Sequence, residues 1–355
     1  MKNAAALLVF LLVVNRVGCR CEEELRLAGI GACPEAGSRG PPRKQGGARR
    51  WSEMVHYHIA KNGGTTLRGI LQARYDAKEL HGPQKQEYSR YFHSRTERWR
   101  GRYFVAFARD PISKLLSQFY YARSELSGAF GRWHRCFDFG EYVLSRRARH
   151  NHQFSQLMTG QQGCGLRELP RPRHEVSAEA IGVNAICPEG LKALERRVAE
   201  VLSQPRLFVG IVERFDESLL ALQRETGLPD VTYCPRRRHK NVLRVEHLPA
   251  AVVKNAATRN IFDNIVYNAS LNLFRAKHCC YGITQDDLKT FRRQNQAFQQ
   301  KHCPALTDED NKARSRDRTL HNDTLGDPMY RAQGRDCDDM RKKRIGMTFF
   351  APSGD

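Results

Sequence analysis

The chain has 355 residues, 40% of them hydrophobic, which is room for one large α/β domain with accessory segments or for two small domains. Its 59 Lys and Arg against 38 Asp and Glu give a formal charge of +21. That surplus favours polyanions (nucleic acid, acidic glycan, anionic membrane, phosphorylated small molecules) without choosing among them, and a merely solvated basic surface stays open.

Lys2 precedes an apolar run from Ala4 to Val14, followed by Asn15, Arg16 and the small residues Gly18 and Cys19. A run this short fits the core of a signal peptide and falls short of a comfortable bilayer span, so residues 1–19 read as a signal peptide or a short signal anchor. The cysteines are Cys19, Cys21, Cys33, Cys136, Cys164, Cys187, Cys234, Cys279, Cys280, Cys303 and Cys337. Cleavage after Cys19 leaves ten, which suits disulfides in an oxidising compartment without fixing their pairing. Their spacing offers no zinc pattern: Cys279 and Cys280 are adjacent rather than two residues apart. The sequons Asn268-Ala-Ser270 and Asn322-Asp-Thr324 are compatible with a lumenal protein.

Residues 20–50, with Pro41-Pro42 and Gly46-Gly47, read as a flexible stem. A strand follows over Met54–Ile59 and a turn at Asn62-Gly63-Gly64. A helix then starts at a cap on Thr65 or Thr66 and runs through Leu67, Ile70 and Leu71. Tyr103–Ala108 is a continuous apolar strand, of the kind buried in parallel sheets. Pro111 suits the first position of a helix through Leu115, Leu116, Phe119 and Tyr120. A helix over Leu191–Leu202, a strand over Arg206–Val212, a helix over Phe215–Thr226 stopped by Gly227, and helix over 249–276 complete the pattern. Strand and helix alternate, so the fold class is α/β with a mostly parallel central sheet flanked by helices. From 283 to 355 the composition turns polar and charged, which reads as a tail, partly helical and partly disordered.

Two segments carry chemistry. His58-Ile-Ala-Lys61-Asn62-Gly63-Gly64-Thr65-Thr66-Leu67 places glycines between a strand and a helix. Glycines let backbone N–H groups approach an anion, Lys61 adds charge and the threonines add donors. It is not a Walker A loop, because its Lys precedes the glycines. Alone, it also reads as an ordinary strand–turn–helix. Arg109-Asp110-Pro111 ends the second strand, with Ser117 eight residues after Arg109. An Arg fork and a hydroxyl there suit a phosphate; a structural ion pair between Arg109 and Asp110 reads equally well.

Together these segments resemble the nucleotide site of the sulfotransferases, in the branch of the heparan sulfate 2-O- and 6-O-sulfotransferases. Two more stretches continue the resemblance. Asn151-His152-Gln153-Phe154…Leu157…Gly160 is similar to N-x-Q-T-x-x-L-x-G, with Phe154 where Thr is usual. Val209-Gly210-Ile211-Val212-Glu213-Arg214-Phe215-Asp216-Glu217-Ser218-Leu219 matches V-G-x-x-E-R-F-D-E-S-L.

The resemblance implies a P-loop-like nucleotide-binding sulfotransferase fold over 51–282, a Golgi setting and 3′-phosphoadenylyl sulfate as co-substrate, with no metal. It assigns Lys61, Asn62, Gly63, Gly64, Thr65 and Thr66 to the 5′-phosphosulfate, Lys61 also being catalytic, and Arg109 and Ser117 to the 3′-phosphate. Asn62 replaces the usual Thr and keeps a hydrogen-bond donor. It also implies a general base between the first motif and the second strand. His93, after Tyr91-Phe92, is preferred over His81 in a His-Gly-Pro turn and over Glu87; His56 and His58 read as core or structural.

The implied partner is a glycan acceptor of anionic kind, not nucleic acid, with membrane association through the N-terminus open. Arg123, Arg132, His134, Arg135, Arg146–Arg149 and the run Arg236–Lys240 are candidates to line its channel, or simply a solvated face. A kinase would need a Walker A loop and a magnesium carboxylate, and neither is present. A catalytically inactive polyanion-binding relative is the remaining alternative.

Overall fold

The computed structural model describes residues 53–80, 101–125, 137–145, 148–158, 189–235 and 244–303. The leader, the stem, His81, Glu87, His93, most of the basic channel candidates and the chain beyond 303 lie outside these residues.

Four strands form one sheet: β1 (Glu53–Tyr57), β2 (Lys78–Leu80), β3 (Arg102–Ala108) and β4 (Leu207–Ile211). Their order is β2-β1-β3-β4, and every pairing is parallel. The expected α/β class with a parallel central sheet flanked by helices is therefore observed. β3 is buried from Tyr103 to Ala108 and β4 along its whole length. Burial on both faces is why these strands read as continuous apolar runs and not as alternations. β2 escaped sequence analysis because it has three residues, of which only Leu80 is buried.

The helices follow from local signals. α1 (Gly64–Tyr75) buries Leu67, Ile70 and Leu71 at helical spacing. α2 (Pro111–Glu125) begins on its proline, where a missing N–H costs nothing. α3 (Phe139–Leu144) is opened by a capping box, Asp138 accepting from the Glu141 N–H and Glu141 from the Asp138 N–H. α4 spans His152–Met158. α5 (Leu191–Leu202) sinks Leu194, Val198, Val201 and Leu202 into the core. α6 (Phe215–Thr226) follows a 3-10 turn over Val212–Arg214 and stops at Gly227, whose φ of 70° lies in the left-handed region that glycine tolerates.

The helix expected over 249–276 is two helices, α7 (Ala250–Arg259) and α8 (Ile261–Cys280). Asn260 breaks them, with φ −115° and ψ 31°. Its buried side chain accepts from the Asn151 N–H, and the Asn151 side chain in turn accepts from Phe262 and Asp263 at the start of α8. Asp263 reciprocates on the Phe154 N–H, 2.7 Å away, in α4. Two helix starts thus satisfy each other's free N–H groups across some 110 residues of sequence, a long-range exchange that no window of sequence displays.

The described residues form two compact units, where one domain over 51–282 was expected. The first takes the chain up to 111, then 150–236 and 259–303, and holds the sheet; the second takes 112–149 and 237–258. The second is centred on Leu115, Leu116, Phe119, Phe139, Tyr142 and Val143, with Val252 and Val253 packed on them. Nor does the ordered chain stop at 282. α9 (Gln285–His302) opens with a capping box between Thr284 and Asp287 and places Leu288 and Phe291 in the first unit's core. Its end is tied by a disulfide between Cys303 and Cys234. Six of its 18 residues are Gln or Asn, a composition typical of a polar tail, and its two buried hydrophobes are too few to show as a helical pattern. Cys279 and Cys280 are also disulfide-bonded.

A buried ion pair secures α8 to the sheet. Lys277 Nζ lies 3.1 Å from Glu225, which also accepts from the hydroxyls of Tyr103 and Tyr281. Burial alone would raise the Glu225 carboxyl; Lys277 and the two hydroxyls outweigh it and hold the group below its ordinary value. A carboxylate held down in the folded state contributes stability above its ordinary value and loses it as pH falls below. Stability is therefore expected to drop as pH falls from about 4.5, and Glu225→Gln should flatten that limb. At neutral pH the same variant should cost about 3 kcal/mol in urea denaturation, because it leaves Lys277, whose side chain is 12% exposed, without its counter-charge.

Candidate active site

Strand order places the site. The sheet runs from β1 outward to β2 on one side and to β3 and β4 on the other, so the chain reverses direction between β1 and β3. Open parallel sheets bind ligands outside the carboxyl ends of the strands at such a reversal. The segment 58–66 leaves β1 there, and Arg109 leaves β3 there.

The loop turns through left-handed backbone at Lys61 (φ 69°) and Gly63 (φ 72°). Gly63, not Thr65 or Thr66, caps α1, and it does so without a side-chain bond. The Thr66 and Leu67 N–H groups both return to the Gly63 carbonyl. Among the described residues the N–H groups of Gly63, Gly64 and Thr65 have no backbone acceptor, and they form the positive end of the helix. Gly64 is required sterically. A Cβ there would fall 2.1 Å from the ring of His58, which is held by Glu79 at 2.7 Å. Below the loop an aromatic series supports it: Phe208 against Phe107 at 6.3 Å, Phe107 against Phe215 at 5.1 Å, and Phe215 at 3.2 Å from where a Gly63 Cβ would lie.

Asn62 does not serve the role expected of it. Its side chain is 2% exposed and turned inward, donating to the Phe107 carbonyl and to Gln153 Oε1, both at 2.6 Å. Its own N–H is taken by the Ile59 carbonyl. Asn62 therefore anchors the loop, with no donor left for a ligand. The usual Thr and this Asn differ in reach, and the longer amide finds a partner across the sheet.

Gln153 receives that bond and makes two more. Its Oε1 accepts from the Arg109 N–H at 2.9 Å, and its Nε2 donates to the Arg109 carbonyl at 2.8 Å. Arg109 Nη1 then donates to the Lys61 carbonyl at 2.8 Å. The exit of β3 and the glycine loop are thus joined by one buried amide and one guanidinium. Arg109 Nε is buried with no hydrogen-bond partner among the described residues and lies 4.0 Å from Glu213. Burial lowers the Arg109 pKa, while Glu213 and Asp110 oppose the shift.

Glu213 accepts from the Asp110 N–H at 3.1 Å and from the Tyr267 hydroxyl at 3.3 Å. Burial raises its carboxyl above the ordinary value, against its own N–H, the Asp110 N–H and Arg109. The rest of its motif is scaffolding: Ser218 bridges the N–H and carbonyl of Ile211, Arg214 pairs with Glu217, and Asp216 accepts from Tyr233 and Arg292.

The structure thus brings Lys61, Gly63, Gly64, Thr65, Thr66 and Arg109 to one end of the sheet. Ser117 stands on α2 in the second unit. Arg123, a candidate for a glycan channel, is 4% exposed and stacks on Phe119 at 5.2 Å, so it is a core residue of that unit. Sequence analysis missed Gln153, Glu213 and Tyr267 as parts of the site. The first two lie inside recognised motifs, but spacing alone does not show which atoms they hold.

Fold and loop together define an α/β protein whose glycine loop and Arg109 stand at the switch point of a parallel sheet. No family model matches the chain, and no curated protein matches it significantly.

Replacing Gln153 by Leu should cost about 3 kcal/mol in chemical denaturation, since it removes three buried hydrogen bonds at once. Gly64→Ala should lower stability in chemical denaturation by about 1–3 kcal/mol through overpacking against His58.

Proposed function

We propose that the chain is a sulfotransferase, moving a sulfuryl group from 3′-phosphoadenylyl sulfate to a hydroxyl of a glycan. The acceptor class the motifs favour is an anionic glycosaminoglycan of the heparan sulfate kind, and the setting they favour is the lumen of the secretory pathway. The observation that carries the reading is the coupling of the glycine loop to Arg109 at the sheet's switch point, two anion-receptive groups joined by direct hydrogen bonds.

The residues fit such a donor. Among the described residues three N–H groups at the start of α1 are without backbone acceptors, and Arg109 keeps a buried Nε with no hydrogen-bond partner. Bound there, the donor supplies an activated sulfuryl group on a phosphate leaving group. In an in-line displacement the acceptor oxygen bonds to sulfur as the sulfur–oxygen bond to the phosphate breaks, and adenosine 3′,5′-bisphosphate departs. Lys61 neutralises charge growing on the bridging oxygen, and the N–H groups of Gly63, Gly64 and Thr65 hold the non-bridging oxygens. Arg109 takes the 3′-phosphate, a role to which the resemblance adds Ser117. The acceptor proton needs a base, and the resemblance points to His93, outside the described residues.

The left-handed backbone at Lys61 supports the same reading. A non-glycine residue in that region is strained by about 1–3 kcal/mol, and such strain concentrates at ligand-binding sites.

Transfer from labelled donor to a panel of desulfated glycans is the direct test. Lys61→Ala should lower kcat by roughly 100-fold or more, the size expected for a group that stabilises transition-state charge. Arg109→Ala should weaken adenosine 3′,5′-bisphosphate binding by about 10-fold or more. Binding of the bisphosphate without transfer to any glycan would identify an inactive relative, and absence of both would remove the proposal.

A further inference from the structure

We infer that Asn268 is an N-glycosylation acceptor that is modified before α8 folds. The inference rests on the lumenal setting proposed above, and it arises from a polar atom that the folded protein leaves unexplained.

Asn268 lies in the middle of α8 and is exposed, as are Asn272 and Arg275, four and seven residues on. These three mark the helix face that looks into solvent. A glycan carried at 268 would project away from the core. Ser270 is the hydroxyl residue of the same sequon, and it faces the other way. It is 0% exposed, and its Oγ is buried with no hydrogen-bond partner among the described residues.

That hydroxyl is a liability to the fold. A serine inside a helix ordinarily donates to the carbonyl four residues back or turns to water; Ser270 does neither. Alanine would fill the same space without burying an unsatisfied polar group. A role outside the folded state accounts for it. The N-x-S/T sequon needs the hydroxyl two residues after the asparagine. The structure therefore separates the two halves of the sequon: the asparagine that would carry the glycan is outside, and the serine that licenses it is sealed inside.

The reaction joins Asn268 Nδ2 to the first sugar of an oligosaccharide held on a lipid diphosphate. The new bond is carbon–nitrogen, the sugar–phosphate oxygen bond breaks, the lipid diphosphate leaves, and an amide proton is released. In the folded chain the enzyme's access to Ser270 is blocked. Modification has to occur while the segment is still extended.

The test uses the full chain translated in the presence of microsomes, once with its own leader and once with an established signal sequence in its place. Protease-protected chains are treated with peptide N-glycosidase, which leaves aspartate at each formerly modified asparagine, and mapped by mass. Conversion at 268, its loss in Asn268→Gln, and its loss in Ser270→Ala with retention in Ser270→Thr are expected. Ser270→Ala should melt no lower than the unmodified parent. Protected chains that all keep unmodified asparagine at 268 would overturn the site, and modification at 322 in the same chains shows that the machinery was active. Modification seen only with the substituted signal would uphold the site and remove the lumenal reading of this chain. For the order of events, chain folded without glycan is offered to purified oligosaccharyltransferase and lipid-linked donor beside the same chain reduced and carboxymethylated. The folded form should react at least about tenfold more slowly at 268, because access requires local opening of α8. Equal rates would overturn the claim that modification precedes folding.

Discussion

The candidate site depends on one side-chain amide. Gln153 is 0% exposed and holds the Asn62 side chain and both backbone groups of Arg109. Those groups belong to two loops that leave neighbouring parallel strands. Parallel strands end at the same edge of a sheet, but nothing in the ladder itself continues past the last residue pair to fix the loops against each other. An amide with one acceptor and two donors is suited to that gap, since it can bond a chain's N–H and carbonyl at once while taking a third contact. Low local dielectric strengthens such a network when it is complete and penalises it when a member is lost. The positions of Lys61 and Arg109 follow from it.

Gln153 is itself held by its neighbours in the chain. Asn151, in a left-handed conformation with φ 49°, closes the start of α8, and Asp263 closes the start of α4. The helix that carries Gln153 is therefore anchored by a helix from a distant part of the sequence. Glu213 plays a comparable part from β4, tying the Asp110 N–H to Tyr267. The four recognised motifs thus divide their labour: the segments carrying Lys61 and Arg109 meet at one end of the sheet, and those carrying Gln153 and Glu213 hold them there.

Much of this architecture is visible in the sequence because local and tertiary demands agree. The apolar runs of β3 and β4, Pro111 at the start of α2 and Gly227 at the end of α6 each announce their element through backbone or burial constraints that act over a few residues. What escapes detection is set by partners far away in sequence. By residue type and place Asn62 suits a ligand donor, yet its amide is spent on Phe107 and Gln153. Asn260 splits a helix whose propensity is otherwise continuous, because Asn151 draws on its side chain. α9 reads as tail because two buried hydrophobes among many polar residues give a weak pattern, although a disulfide and core contacts hold it.

The first unit is built from three separated stretches of chain, the last ending at Cys303. Its sheet can begin to assemble once β4 has been made, but its core is not closed until α9 has followed. Synthesis proceeds at about 5–20 residues per second, so the interval between the appearance of Ser270 and that of Cys303 is on the order of a few seconds. Throughout that interval the α8 segment has no complete surface to pack against. A discontinuous fold thus acts as a delay line during translation, and the delay is the period in which a passing enzyme can read residues that the finished protein conceals.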